Sequence, residues 1–184
     1  MDFKTYFFQD RSRLEYCSFT NIMMAIMNSL EEYEILVYDL KTIKFTKHME
    51  FSSTKFEQIL YIIVSLRPDI ANILIDEMFL DLEPHFEKIM TSNWEFETEA
   101  IDILISTVGD YFQDYKMIAH QELISSICYE RLAIRYIYSL VKPPKNVLTS
   151  RIIIKNQQQC EDLAQKVSKE VEQIKVIFSW YIWL

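Results

Sequence analysis

The sequence predicts an all-α protein, and three observations support this fold class. Apolar residues recur at the i, i+3, i+4 and i+7 spacing of an amphipathic helix in about five stretches. No window sustains the alternation of apolar and polar residues that marks a half-buried strand. The chain has one glycine, Gly109, whereas a β-rich fold needs many tight turns with positive φ.

The length and the helix pattern predict a single domain. A chain of 184 residues, half of them hydrophobic, is long enough for one hydrophobic core. Long helices joined by short polar turns bury their apolar faces when neighbouring helices run antiparallel. We therefore expect one elongated antiparallel helical bundle over residues 1–184.

The first two helices are the longest in this pattern. The first is predicted from about Ser12 to Lys44, and the second from about Lys55 to Met90, after an N-cap at Ser53 or Thr54. Pro68 is expected to kink or split the second helix, because proline removes a backbone hydrogen bond and clashes with the preceding turn.

Three further helices complete the prediction. The third is expected from about Glu95 to Lys116, with Phe96 on its buried face. The fourth runs from about Ala119 to Val141 and stops before a pair of prolines, which cannot continue a helix. The fifth runs from about Gln157 to Trp183, and its apolar residues recur at nearly heptad spacing.

Charge is distributed unevenly along the chain. The formal net charge is -8, but the stretch from Asp69 to Asp114 holds 12 acidic residues and a single basic one, Lys88. The stretch from Arg135 to Lys155 holds five basic residues and no acidic one. The sequence thus has an acidic middle followed by a basic segment.

The basic segment and the aromatic C-terminus supply the candidate interaction residues. Basic side chains attract anionic lipid headgroups or an acidic protein surface, such as that of another subunit or of this chain's own middle. The closing IFSWYIWL would expose more apolar area than a monomer usually leaves bare, so it either folds back or meets a partner. The candidates are Arg135, Lys142, Lys145, Arg151, Lys155, Trp180 and Trp183.

Composition disfavours several other classes of site. A single glycine excludes a glycine-rich phosphate loop, and an acidic chain without an aromatic platform interleaved with its bases argues against nucleic acid. The cysteines Cys17, Cys128 and Cys160 are expected to be reduced core thiols of a cytoplasmic protein. The longest uncharged apolar run, Ile59–Leu66, is too short to span a bilayer. We expect no catalytic group and no cofactor.

The segment DEMFLDLEPHFEKIMTSNW, residues 76–94, raises one metal hypothesis. Glu77, Asp81 and His85 follow at i+4 steps, so they share a helical face on which carboxylate and imidazole ligands can meet a divalent metal. The favoured interpretation is a scaffold whose carboxylates face water or a basic partner. The core residues expected here are Phe79, Leu82, Phe86 and Trp94.

Four segments resemble the exocyst complex component 3 family and its exocyst-3-like relatives. They are DEMFLDLEPHFEKIMTSNW, AIDILISTVGDYFQDY, YERLAIRYIYSLVK and CEDLAQKVSKEVEQIKVIF, and the likeness extends from about Asn21 to Phe178. The chain is similar to the C-terminal part of that family. The implied fold is a rod of stacked helical bundles shared among tethering-complex subunits, whose assembling coiled coils lie further towards the N-terminus.

The resemblance also implies a function. Family members are non-catalytic subunits that hold secretory vesicles at the plasma membrane before exocytosis. The implied partners are other exocyst subunits, SNARE proteins and small GTPases, and the implied location is the cytoplasm at the plasma membrane periphery. Some relatives act instead on membrane protrusions, so a membrane-surface adaptor outside the exocyst, bound to anionic lipid, is the alternative.

Overall fold

The computed structural model describes residues 16–44, 50–91, 93–141, 152 and 154–182. Within these ranges the chain is helical and contains no strand, which confirms the all-α helical bundle. The helices are α1 (Tyr16–Lys44), α2 (Glu50–Phe86), α3 (Glu99–Tyr115), α4 (Gln121–Val141) and α5 (Gln157–Ile182).

Helix α2 begins earlier than predicted and passes through Pro68 without a break. The helix is therefore not split at the proline, and the expected cap at Ser53 or Thr54 was wrong, whereas a kink at Pro68 stays a prediction. Ile63 and Ile70, on either side of Pro68, are both buried, so packing stabilises the helix before and after the proline. The side-chain amide of Asn72 donates a hydrogen bond to the Pro68 carbonyl at 2.8 Å.

Helix α3 begins later than the sequence pattern suggested. Its N-cap is Thr98, whose hydroxyl donates to the Asp102 carboxylate at 2.7 Å. Residues 93–96 form turns instead of the first helical turn. Phe96 therefore lies off the helix and is 84% exposed, which contradicts its predicted burial.

The chain divides into two compact units. The first unit comprises Met1–Leu74 with Met117–Ala119, and the second comprises Ile75–Lys116 with His120–Leu184. Helix α2 contributes residues to both units. The single domain over residues 1–184 stays a prediction.

In the first unit, α1 and the beginning of α2 form an antiparallel hairpin. The Arg67 guanidinium lies 3.0 Å from a Glu31 carboxylate oxygen and also contacts Glu34, while Lys41 lies 3.6 Å from Glu57. The partner's residue number rises as the α1 number falls, so the two helices run in opposite directions. The buried apolar side chains of these helices belong to the core of this unit: Phe19, Met23, Met27, Leu30 and Val37 from α1, with Ile63, Ile70, Ala71 and Leu74 from α2.

In the second unit, the end of α2 and helices α3, α4 and α5 share one core. Aromatic rings mark its centre: Phe178 of α5 meets Phe112 and Tyr129 edge-on, with ring centroids 6.0 Å and 5.2 Å apart. These contacts hold α5 against both α3 and α4. Other fully buried residues of this core are Met78, Leu82, Phe86, Ile89, Val108, Tyr115, Ile124 and Cys128.

Within the described ranges, one stretch is long and apolar enough to cross a membrane by length and composition. It is Thr54–Phe86 of α2, whose most apolar window has a mean hydropathy of 1.4 and is 33% buried. A core helix of a soluble protein meets the same criterion. Within this stretch Ile63, Ile70, Leu74, Met78 and Leu82 are buried in the two cores, whereas Ile59, Ile62 and Leu66 are exposed.

Candidate interaction site

The acidic end of α2 lies against two arginines of α4. Arg131 donates from Nη2 to Asp76 Oδ1 at 2.6 Å, and Arg135 donates from Nε to Glu83 Oε2 at 2.9 Å. Arg135 also contacts the other carboxylate oxygen of Glu83, so this pair is bidentate. These two carboxylates therefore meet basic partners within the same chain, 55 and 52 residues away.

Each of these arginines also covers an aromatic ring of α2. The Arg131 guanidinium carbon lies 5.1 Å from the Phe79 ring centroid, and that of Arg135 lies 5.1 Å from Phe86 and 5.4 Å from Tyr138. The two phenylalanine rings stack on each other at 6.1 Å. A guanidinium placed between a carboxylate and a ring face is held by two attractive interactions at once.

The core predicted within residues 76–94 is largely confirmed. Leu82, Phe86 and Trp94 are buried, whereas Phe79 is half-buried under Arg131. The prediction for the carboxylates needs one correction, because Glu77 is only 5% exposed and does not face water.

The metal hypothesis gains no support from the geometry. Among the described residues, Glu77, Asp81 and His85 do not form a group whose ligand atoms all lie within 4.8 Å of one another. Successive i+4 steps rotate by about 40° around a helix, so three such positions spread over about 80° and face different surroundings. Asp81 instead accepts a hydrogen bond from the Tyr111 hydroxyl at 2.8 Å.

The surroundings of His85 favour the neutral form of its imidazole. Burial lowers its pKa below the ordinary value of 6.5, and the nearby Lys88 ammonium lowers the pKa further, while Glu99 opposes the shift. Its Nδ1 atom is buried and has no hydrogen-bond partner among the described residues. A charged imidazolium would therefore be disfavoured at this position.

The basic segment is partly visible in the described residues. Arg135 contacts the acidic middle of the chain through Glu83 and also donates to the Ser139 hydroxyl at 2.8 Å. Lys155 is exposed, and its backbone N–H donates to Gln159 Oε1 at 2.9 Å just before α5. Outside the described residues lie Lys142, Lys145, Arg151, Trp183 and the side chain of Trp180.

The cysteines differ in environment. Cys128 is fully buried, its Sγ lies 3.7 Å from Met78 Sδ, and burial raises the pKa of its thiol to about 12. The prediction of an inert core thiol holds for this residue. Cys160 is exposed, which contradicts its predicted burial, and the side chain of Cys17 lies outside the described residues.

A buried polar cluster around Glu170 of α5 was not predicted. Glu170 is 1% exposed, accepts a hydrogen bond from the Tyr136 hydroxyl at 2.6 Å and lies 3.2 Å from the Lys166 ammonium. Lys166 also donates to the Glu97 carbonyl at 2.8 Å and lies 5.1 Å from the Trp94 ring centroid. The cluster ties α5 to α4 and to the turn before α3. A glutamate within the apolar heptad of α5 was the sequence signal for it.

Comparisons with known proteins identify the family of the chain. The sequence profile of the family described as Exocyst complex component Sec6 matches residues 3–183. The chain is 27% identical to Exocyst complex component 3 of Drosophila melanogaster over 180 residues, which cover 97% of this chain and 23% of that protein. The chain thus spans about a quarter of the length of this relative. No solved structure matches the chain. Because the family profile covers nearly every residue, the chain belongs to the Sec6 family of exocyst complex components.

Proposed function

We propose that the chain is a non-catalytic protein-interaction scaffold of the exocyst type, which helps to tether secretory vesicles to the plasma membrane during exocytosis. The family match over residues 3–183 carries this proposal. The function implied by the family is assembly and not chemistry, so the features that matter are rigid helices and the surfaces they present.

The polar contacts of the second unit support a scaffold. Charged side chains in this unit link helices: Arg131 and Arg135 join α4 to α2, and Glu170 joins α5 to α4. Partly buried charge pairs of this kind depend on geometry, and losing one partner leaves the other uncompensated. Such contacts favour a fixed arrangement of helices, on which a partner can dock without reordering the chain.

The proposed partners are other exocyst subunits, SNARE proteins and small GTPases, met in the cytoplasm at the plasma membrane periphery. The candidate contact residues are those of the basic segment and of the aromatic end. Exposed bases steer an acidic partner towards the surface and raise the association rate more than the affinity. Lys155 is an exposed member of the segment, and Arg135 already neutralises Glu83.

The alternative is a membrane-surface adaptor that acts on membrane protrusions outside the exocyst. The run of five bases without an acid between Arg135 and Lys155 favours it, because such runs are attracted to anionic headgroups. In this case Trp180 and Trp183 would insert at the membrane interface.

Pairwise co-expression with each exocyst subunit tests the proposal. We expect at least one subunit to copurify with the tagged chain at low salt, and we expect less of it to copurify at higher salt. A Lys142→Glu, Lys145→Glu and Lys155→Glu triple variant should lose this partner, while the control Lys175→Glu, a change at an exposed lysine of α5, should keep it. Recovery of no subunit, together with sedimentation on phosphatidylserine vesicles, would replace the scaffold with the adaptor.

A further inference from the structure

Helix α1 carries two apolar stripes on neighbouring faces, one covered and one exposed. The covered stripe consists of Phe19, Met23, Met27, Leu30 and Val37, all buried. The second stripe repeats at heptad spacing on the neighbouring face and is exposed: Ile22, Ile26, Tyr33 and Leu36. At about 100° per residue, the exposed stripe lies roughly 90° around the helix from the covered one.

Helix α2 has the same organisation in the first unit. The buried positions are Ile63, Arg67, Ile70 and Leu74, while Ile59, Ile62 and Leu66 are exposed. This exposed stripe is also about 90° from the buried one, in the same rotational sense as on α1. Across both helices, the seven exposed side chains retain 39% to 58% of their accessible area.

The two exposed stripes lie on the same side of the hairpin. In an antiparallel pair, positions rotated in the same sense from both contact stripes share one face of the pair. The ion pairs of Glu34 with Arg67 and of Lys41 with Glu57 set the register. This register places Tyr33 beside Leu66 and Leu36 beside Ile62. Between the Tyr33–Leu66 and Leu36–Ile62 positions the two stripes therefore form one apolar groove, referred to below as the hairpin groove.

A third helix is the shape that fits the hairpin groove. Isolated exposed apolar residues are normal on a protein surface, but a continuous apolar strip flanked by polar residues marks an interaction site. A groove between two helices with heptad spacing accepts the apolar face of an amphipathic helix, which completes a three-helix bundle.

The charges beside the hairpin groove define the polar face of that helix. The next positions outward on α1 are Glu32 and Asp39, and on α2 Asp69 lies beside the stripe; all three are exposed. The described exposed base at the groove is Lys55. Three acids against one base favour a partner with basic flanks, and they disfavour both an anionic membrane and a second copy of the same acidic face.

We propose that the hairpin groove binds an amphipathic helix supplied by a separate polypeptide, with an apolar heptad stripe flanked by lysine or arginine. This inference rests on the scaffold function proposed above and assigns it a docking surface distinct from the basic segment. The groove accommodates apolar anchors, and Glu32, Asp39 and Asp69 select the basic flanks.

A synthetic helix tests the proposal directly. The probe is a fluorescent peptide of three heptads with leucine at the core positions and lysine at the flanking positions; the matched peptide carries glutamate in place of lysine. By fluorescence anisotropy, the full chain should bind the lysine peptide at least about tenfold more tightly than the glutamate peptide. Raising the salt concentration should narrow this difference.

Variants of the chain locate the binding surface. Leu36→Glu and Ile62→Glu, on the two walls of the groove, should each weaken binding of the lysine peptide by about tenfold or more. Ile35→Glu and Tyr61→Glu place the same charge on exposed apolar positions outside the groove and should leave binding within about twofold. Circular dichroism and thermal melting of all four variants exclude unfolding as the cause.

Several outcomes would overturn the proposal. Equal binding of both peptides would show that the partner does not need basic flanks. Unchanged binding by Leu36→Glu and Ile62→Glu would show that the peptide does not bind in the hairpin groove. If the wild-type chain is a dimer and the groove variants are monomers, the groove binds a second copy of the chain. If the wild-type chain sediments with uncharged phosphatidylcholine vesicles and the groove variants do not, the groove binds a membrane. Peptide binding without any copurified exocyst subunit would refute the scaffold function alone.

Discussion

At the scale of single residues, Arg131 and Arg135 hold the acidic end of α2 against α4. Each guanidinium bonds to a carboxylate and covers a phenylalanine ring, so both its charge and its flat face are used. Lysine has no planar group to lie over a ring and cannot bind a carboxylate with two parallel hydrogen bonds. Part of the acidic end of α2 is therefore neutralised within the second unit.

Replacing Phe86 should destabilise the chain much more than neutralising Glu83. Phe86 is 1% exposed, and Phe86→Ala should lower the free energy of unfolding by roughly 3–5 kcal/mol, because it leaves a cavity and removes the ring under Arg135. The Glu83 side chain is 46% exposed, so Glu83→Gln should cost at most about 1 kcal/mol. Urea unfolding followed by circular dichroism measures both, and equal losses would refute the assigned core.

The two described thiols should react at very different rates. Burial raises the pKa of Cys128 to about 12, so its thiolate is scarce at neutral pH, and the sulfur is shielded from solvent. Cys160 is exposed on α5. Brief treatment of the native chain with iodoacetamide, followed by peptide mass spectrometry, should label Cys160 and leave Cys128 unlabelled until urea is added. Labelling of Cys128 in the native chain would contradict its placement.

At the scale of secondary-structure elements, α2 carries the most conflicting local signals. It contains Pro68 in its interior, and yet it continues to Phe86 because buried residues on both sides of the proline pack against other helices. Its apolar character is high enough to resemble a membrane span, since two separate stripes of the helix are apolar. Packing outweighs local propensity here.

Removing the internal proline should stabilise α2. Pro68 is exposed and lacks the N–H that would bond to the Val64 carbonyl, so Pro68→Ala restores one hydrogen bond and relieves a steric contact. We expect the free energy of unfolding to rise by about 1–2 kcal/mol, after a small loss from a more flexible unfolded chain. Ser65→Ala, also on the exposed side, should change it by less than about 0.5 kcal/mol. A destabilised Pro68→Ala chain would show that packing requires the proline.

At the scale of the whole molecule, two buried tyrosines make the free energy of unfolding depend on pH in the alkaline range. Burial raises the pKa of Tyr115 and of Tyr136 above the ordinary value of 10.0, and the hydrogen bond from Tyr136 to Glu170 adds to the shift. A phenolate in either position would be desolvated, and at Tyr136 it would lie beside a carboxylate. Folding therefore favours the neutral form of both side chains.

The sign of the pH dependence follows from that shift. Above about pH 10 these tyrosines lose protons in the unfolded chain but keep them in the fold, so stability is fully present below pH 10 and is lost as the pH rises further. Each tyrosine should contribute a slope of up to about 1.4 kcal/mol per pH unit. Urea unfolding at a series of alkaline pH values should show a shallower decline in Tyr136→Phe than in the wild type. Identical slopes would contradict this origin.

The sequence predicted some parts of this molecule well and others poorly, for physical reasons. Leu82 and Phe86 were assigned correctly to the core because their spacing matches the helical period. Trp94 is also buried as predicted, although it lies in the turns at residues 93–96. Phe96 fits the same period but lies before α3, since the turns at residues 93–96 interrupt the helix. The pairing of Arg131 with Asp76 could not be predicted, because it joins residues 55 positions apart.

By itself the sequence determined the all-α class, the existence of the five helices in the described part of the chain and the membership of the Sec6 family. Each of these depends on local periodicity or on a pattern spread along the chain. The tertiary structure decided which of the two apolar stripes on α1 and α2 is covered, and that Glu77 and Glu170 are buried. Periodicity shows that a stripe is apolar, but its burial depends on which distant segments pack against it.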